Sequence, residues 1–403
     1  MEKILIYIMP IITISVCLAL ANLIYNLRAF EFLHNRANRY GSIDGLRGYL
    51  AILVFFHHYI ITWYWKVNGS WQRPPEIVYE NFGRVGVSIF FIITGFLFIS
   101  KIMNAKGDIE WLKLFESRVF RIYPLYIFAI LIISLIVFSS TAWSLNDSII
   151  GLSESYLKVL LFGESNINRF PFAMNVIAKV QWTLKYEWFL YLSLPIISII
   201  TFKTFRFSGI ILWLILSLIA IRGLFSDLLG FSTHYFIFFL GGSLFAYILH
   251  HYKFHELSFF KSKVASIISI ILILLSVVYP HTLSMSHIII IGTLFLFILM
   301  GNDIFYLLNL KGSIILGEIS YSIYLLHGII LYVIFTYLDL NTVKIGFQNF
   351  LLLQPLIGML LVIVCSLTYL FIERPCLRLG HKYKISAFVG SRLMYKKSAV
   401  EEH

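Results

Sequence analysis

Apolar residues come in long runs along nearly the whole chain, separated by shorter polar segments. A helix needs about 20 consecutive apolar residues to cross roughly 30 Å of hydrocarbon. Runs of that kind predict spans near residues 4–26, 44–65, 84–102, 121–139, 182–200, 208–224, 234–250, 264–279, 287–300, 321–338 and 351–372. The boundaries are softest around Arg222 and in the two short spans flanking Pro280. The expected fold class is therefore an all-α polytopic membrane protein with about 11 transmembrane helices.

Composition agrees. Of the 403 residues 59% are hydrophobic and 13% charged, with a mean hydropathy of +0.85, whereas soluble domains carry roughly 25% charged residues. Basic residues set an orientation, because Lys and Arg accumulate in cytoplasmic loops. If the loop at 27–43, with Arg28, Arg36 and Arg39, lies inside, alternation puts 22 of the 32 basic residues inside, including those of the C-terminal tail. The net charge of +12 then reads as topology and affinity for anionic lipid, and gives no reason to invoke nucleic acid.

The first span, with Ala19-Leu20-Ala21 near its end, also looks like a signal peptide. A retained helix is favoured, since the run continues to about Tyr25 and three arginines follow. Cys17, Cys365 and Cys376 show no paired spacing, so neither a disulfide framework nor a metal site is suggested.

Ionisable residues inside these spans are the candidates for chemistry, because they are costly in lipid and mark sites or pathways. His58 follows Arg47 by eleven positions, which places it on the same helix face, within about 20°, and about 16 Å deeper. Asp44 projects near the same stripe and His57 points away from it. A structural alternative has Asp44 capping the helix, Arg47 snorkelling and the histidines hydrogen-bonded in the core.

Arg118 and Arg121, three apart at the inner surface, suit a phosphate-rich cytoplasmic ligand, since guanidinium forks bind phosphate oxygens bidentately. Glu187 is expected among aromatics near the outer mouth of its helix or slightly within the membrane, where it must pair, titrate or face water. Ser320 and His327 lie seven apart on one face with Tyr324 beside them. Glu373 and Arg374 can pair at the inner surface, or simply end the last span. On the outer side, the loops at 66–83 and 140–180 offer Trp71, Tyr79, Tyr156 and Phe170 for stacking on sugars or anchoring at the interface.

Six segments in order, IDGLRGYLAILVFFHH (43–58), GRVGVSIFFIITGF (83–96), SRVFRIYPLY (117–126), QWTLKYEWFLYL (181–192), LGEISYSIYLLHG (316–328) and FIERP (371–375), resemble the acyltransferase-3 family, membrane proteins that O-acylate sugars and some other acceptors. The resemblance implies residues 1–42 as an additional transmembrane helix and basic cytoplasmic loop, 43–376 as a ten-helix acyltransferase-3-like domain, and 377–403 as a basic cytoplasmic tail.

It also implies roles. His58 is the candidate catalytic base, with His57 its neighbour and Glu187 a further catalytic candidate; Arg47, Arg118 and Arg121 would hold the donor. Asp44, Trp182, Ser320, Tyr321 and His327 would contact substrate. Ser88 stands where many relatives have Asp, so an acid at that point is absent. The expected activity is transfer of an acetyl group from cytoplasmic acetyl-CoA to a hydroxyl of an extracytoplasmic or lipid-linked glycan such as O-antigen. No permanently bound cofactor is implied, and the bacterial inner membrane is the expected location, with membrane lipids as surroundings. The competing class is a transporter or flippase for a lipid-linked glycan, which also uses buried His, Arg and Glu along a polar path.

Overall fold

The computed structural model describes residues 2–34, 41–199, 232–251, 258–338, 340 and 342–382. Among these residues the chain is helical, with no strand: α1 (Glu2–Tyr25), α2 (Gly41–Asn68), α3 (Ile77–Asn104), α4 (Trp111–Ser140), α5 (Ile149–Leu160), α6 (Trp182–Ile199), α7 (Phe236–His251), α8 (Lys263–Val278) and α9 (Met285–Leu299) come first. They are followed by α10 (Lys311–Glu318), α11 (Ser320–Tyr332), α12 (Phe347–Thr368) and α13 (Arg374–Lys382), with π-turns Val333–Tyr337 after α11 and Tyr369–Glu373 after α12. The expected span near 208–224 lies outside the described residues.

Among the described residues, five helical stretches can cross a membrane by length and apolarity: α1, α3, α4, Ser320–Tyr337 and Phe347–Gly380. α7, α8 and α9 are shorter apolar helices. α2 and α6 are long enough, but their apolar runs are broken by Asp44, Arg47, His57 and His58 in one and by Lys185 and Glu187 in the other. Two long helices whose apolar runs are interrupted thus carry most of the candidate chemistry. The chain is a polytopic membrane protein.

The helices pack around α2 and α3, with α3 against α7 and α2 against α3, α10 and α11, while α1 lies along α12 and α10. The bundle has two chemically distinct ends. At the basic end Lys311 sits over the Tyr25 ring (5.6 Å) and the Arg374 guanidinium stacks on Phe32 (3.5 Å) and donates to the Ala29 carbonyl (3.2 Å). At the far end Tyr64 donates to Glu76 (2.6 Å), and the Asn81 amide donates to the carbonyls of Val277 (2.8 Å) and Tyr279 (2.9 Å).

Between α5 and α6 the chain turns inward as irregular backbone. Ala173, Met174, Val176 and Ile177 are buried, and Phe172, Ala178 and Lys179 adopt left-handed φ values of 66°, 51° and 57°. Non-helical backbone at membrane depth is tolerated only where protein covers it, and here α11 supplies the cover. Gly328 lies directly against the backbone of Ile177 and Ala178, where any Cβ would collide. Gly328 is near the middle of the Ser320–Tyr337 span, so the segment reaches about half-way through the bundle and α6 starts there.

Several sequence expectations change. α2 and α3 run past the expected 44–65 and 84–102, which leaves only residues 69–76 between them. Tyr79 belongs to α3 and is fully buried, so it is no loop aromatic for a sugar. Tyr156 lies on α5, a helix the hydrophobic pattern did not suggest, and donates to Ser134 (2.8 Å). Glu373 and Arg374 do not pair: Glu373 accepts from Ser322 inside the bundle while Arg374 turns out to Phe32. Consecutive residues on a helix diverge by about 100°.

Candidate active site

α2 presents Arg47 and His58 to two neighbouring cavities. The arginine chamber, of about 260 Å³, is lined by Arg47, Arg118, Arg121, Glu187, Ser320 and Tyr321 among others. The histidine chamber, of about 240 Å³, is lined by His57, His58, Arg84, Trp182, Tyr235 and further apolar residues. Val87 and Tyr324 border both, so these two side chains form the partition. The Tyr324 hydroxyl is fixed there by Thr183 Oγ1 (2.8 Å) and the Val180 carbonyl (3.3 Å).

Three guanidiniums face one carboxylate in the arginine chamber. Glu187 accepts from the Tyr191 hydroxyl (2.7 Å), and Tyr321 donates to the Ile122 carbonyl (2.8 Å). Arg118 lies over the Phe98 ring (5.4 Å), and its Nε, like Ser320 Oγ, is buried with no protein partner. A positively charged recess with unused donors is chemically an anion site.

Glu187, for which the sequence allows the outer mouth or a position slightly within the membrane, lies deeper, grouped with Arg47, Arg118 and Arg121. The physical reason is the inward-turning segment before α6: the helix begins at mid-depth, so five residues along it the chain has passed the middle toward the basic end. Asp44 stays at the entrance of α2, 3.8 Å from Arg47 and outside both chamber walls.

In the histidine chamber the hydrogen bonds assign ring protons. His327 Nδ1 faces the Ile323 carbonyl at 3.0 Å and therefore carries the proton. His327 Nε2 must then accept, and it meets His58 Nδ1 at 3.0 Å. The His58 Nδ1 proton is shared between that nitrogen and the Val54 carbonyl, 3.1 Å away. This leaves His58 Nε2 with a free lone pair, the form a general base requires. Trp71 stacks over the His58 ring with centroids 6.2 Å apart.

His57 turns the other way and donates from Nδ1 to the Tyr79 carbonyl (2.9 Å). Gly83 makes room for it: a Cβ at that position would sit 2.5 Å from the His57 ring. Ser88, at the point where an acid is absent, is fully buried with its hydroxyl unpartnered.

The structure thus brings together His58 with His327 and Arg118 and Arg121 with Arg47 and Glu187, and places Trp182 in the histidine chamber. It also adds residues the sequence reading passed over. Glu80, buried in α3, accepts from Arg84 Nε (2.9 Å), and Arg84 Nη1 donates to the Tyr235 hydroxyl (2.6 Å). The Glu-x-x-x-Arg spacing, which puts both on one helix face, was the available signal.

The searches of curated proteins and of solved structures gave no match. The family model of acyltransferase 3, described as an acyltransferase domain, matches residues 40–370 and so takes in every residue of both chambers. This chain belongs to the acyltransferase-3 family of membrane acyltransferases.

Proposed function

We propose that the protein moves an acyl group, acetyl in the simplest case, from a cytoplasmic acyl-CoA to a hydroxyl of a glycan presented at the opposite membrane face. The observation that carries this reading is the His58–His327 pair, which frees His58 Nε2 as a base in a chamber adjoining an arginine-lined recess. The Lys and Arg bias supports assigning the basic end, and the C-terminus with it, to the cytoplasm. In a bacterium that assignment fits residence in the inner membrane.

In this mechanism Arg118, Arg121 and Arg47 hold the phosphates of the donor while its thioester arm passes Tyr324 toward His58. The acceptor hydroxyl attacks the thioester carbonyl carbon, and its proton moves to His58 Nε2. The C–S bond breaks, an ester forms, and the imidazolium returns the proton to the departing thiolate. His327 accepts from His58 Nδ1 throughout, so the imidazolium forms in a fixed orientation without a new contact. Glu187, held by Tyr191 among the three arginines, keeps the recess from becoming a trap for the product thiol's phosphates.

The test is reconstitution. Full-length protein in liposomes, given acyl-labelled acetyl-CoA on one face and a glycan extract on the other, should label the glycan only when the donor is on the basic-end face. Label transfer with the donor on either face equally would overturn the two-sided reading.

A further inference from the structure

The arginine chamber has its ligand chemistry accounted for, whereas the histidine chamber contains a charge that the transfer step does not use. Arg84 lines this chamber together with Trp182 and Tyr235, with 18% of its side chain exposed. Its Nε and one Nη1 proton are committed to Glu80 and Tyr235. These two bonds fix the plane of the guanidinium and leave the Nη2 edge without a described protein partner.

The charge count around Arg84 is unbalanced. Glu80 is shared with a second guanidinium, Arg73, at 3.8 Å, and Arg73 is 73% exposed. Two positive groups therefore face one carboxylate. An imidazole is neutral or cationic, so neither His57, whose Nδ1 lies 3.9 Å from Glu80 Oε2, nor His58 supplies a compensating negative charge. An arginine held rigidly at membrane depth is costly unless a function retains it.

We infer that Arg84 is a specificity residue that selects acceptors bearing an anionic group, a carboxylate or a phosphate, close to the hydroxyl that is acylated. The inference rests on the acyl-transfer reading of the histidine chamber and adds the class of acceptor. Its chemistry is the match between a planar guanidinium edge and two anionic oxygens, which an ammonium cannot reproduce. Trp182 and Tyr235, packed against each other with ring centroids 4.8 Å apart, line the same chamber and offer an aromatic surface for the apolar face of a sugar ring. A neutral sugar can use those rings and His58 but leaves the guanidinium edge unmet.

The experiment is a binding titration on the detergent-solubilised full chain at fixed ionic strength, with methyl β-D-glucuronide, α-D-glucose 1-phosphate and methyl β-D-glucoside as probes. Tryptophan emission reports occupancy, since Trp182 and Trp71 border the site. At least one anionic probe should bind about 10-fold more tightly than the neutral glucoside, as expected for charge-assisted hydrogen bonds. The two anionic arms distinguish carboxylate from phosphate. In Arg84→Gln the preference should fall to about 2-fold or less, and Arg84→Lys should recover only part of it.

Equal affinity for charged and neutral sugars in the wild type, absence of saturable binding by either anion, or a preference that survives Arg84→Gln would overturn the inference. The wild-type comparison holds even if a variant fails to fold. Acetyl transfer from acetyl-CoA to the same three probes separates this inference from the underlying one. Arg84-dependent anion binding without any transfer would retract the transfer reading alone, and transfer that ignores acceptor charge would retract this one alone.

Discussion

His58 and His327, 269 positions apart in the chain, meet ring to ring with 3.0 Å between His58 Nδ1 and His327 Nε2. His327 is itself oriented by the Ile323 carbonyl one helical turn back. The order carbonyl, His327, His58 fixes which nitrogen of His58 is free. His327 therefore acts in this account as a positioning residue, without touching the reacting atoms.

Removing that support should slow chemistry more than binding. His327→Leu is expected to lower kcat by about 10- to 100-fold, as losses of orienting partners do, with little change in KM for the acyl donor. His327→Gln, whose side-chain oxygen can still accept from His58 Nδ1, should recover part of the rate. Equal losses in both variants would reduce His327 to packing.

Arg118 and Arg121 should behave differently. Each lines the recess on the basic-end side of Tyr324. Arg118→Lys and Arg121→Lys keep the charge and lose the fork, so KM for acyl-CoA should rise by roughly 10-fold. KM for the acceptor, on the other side of the partition, should stay within about 2-fold. Initial rates over a matrix of donor and acceptor concentrations give both values.

Tyr324 divides the two chambers and is held by Thr183. Tyr324→Ala should join the cavities and admit water to the thioester, raising acetyl-CoA hydrolysis relative to transfer. Tyr324→Phe keeps the ring and should change that ratio by less than about 2-fold. The measurement is free thiol released per acylated product, and a ratio unaffected in Tyr324→Ala would remove the residue from the partition.

Much of this architecture is legible in the sequence, wherever one helix carries the information. The eleven-residue interval from Arg47 to His58 and the seven-residue interval from Ser320 to His327 each place two groups on one stripe. In the structure Arg47 and Ser320 line the arginine chamber, His58 lines the histidine chamber, and His327 stands behind His58. The meeting of His58 with His327 is a contact between α2 and α11, which local spacing does not encode.

The depth of Glu187 is not fixed by the sequence for a related reason. The residues from Phe170 to Gln181 form one short 3-10 turn, Ala173–Ile177, in otherwise irregular and mostly buried backbone, for which a hydrophobic pattern has no signature. Its signs are individual, such as Gly328 against Ile177 and Asn168 with a left-handed φ of 53° and both ends of its amide bonded. Glu80 and Arg84 were passed over because the predicted span began at 84, and α3 starts seven residues earlier.

The transfer reaction itself is tested first by mass spectrometry of surface glycans from cells with no copy of the gene, the intact gene, or His58→Ala at matched expression. A mass gain of one acyl group that requires the gene and is lost in His58→Ala is the expected result. No acylated species in any strain, together with loss of glycan export when the gene is absent, would instead make the chain a transporter, with His58 on a transport path.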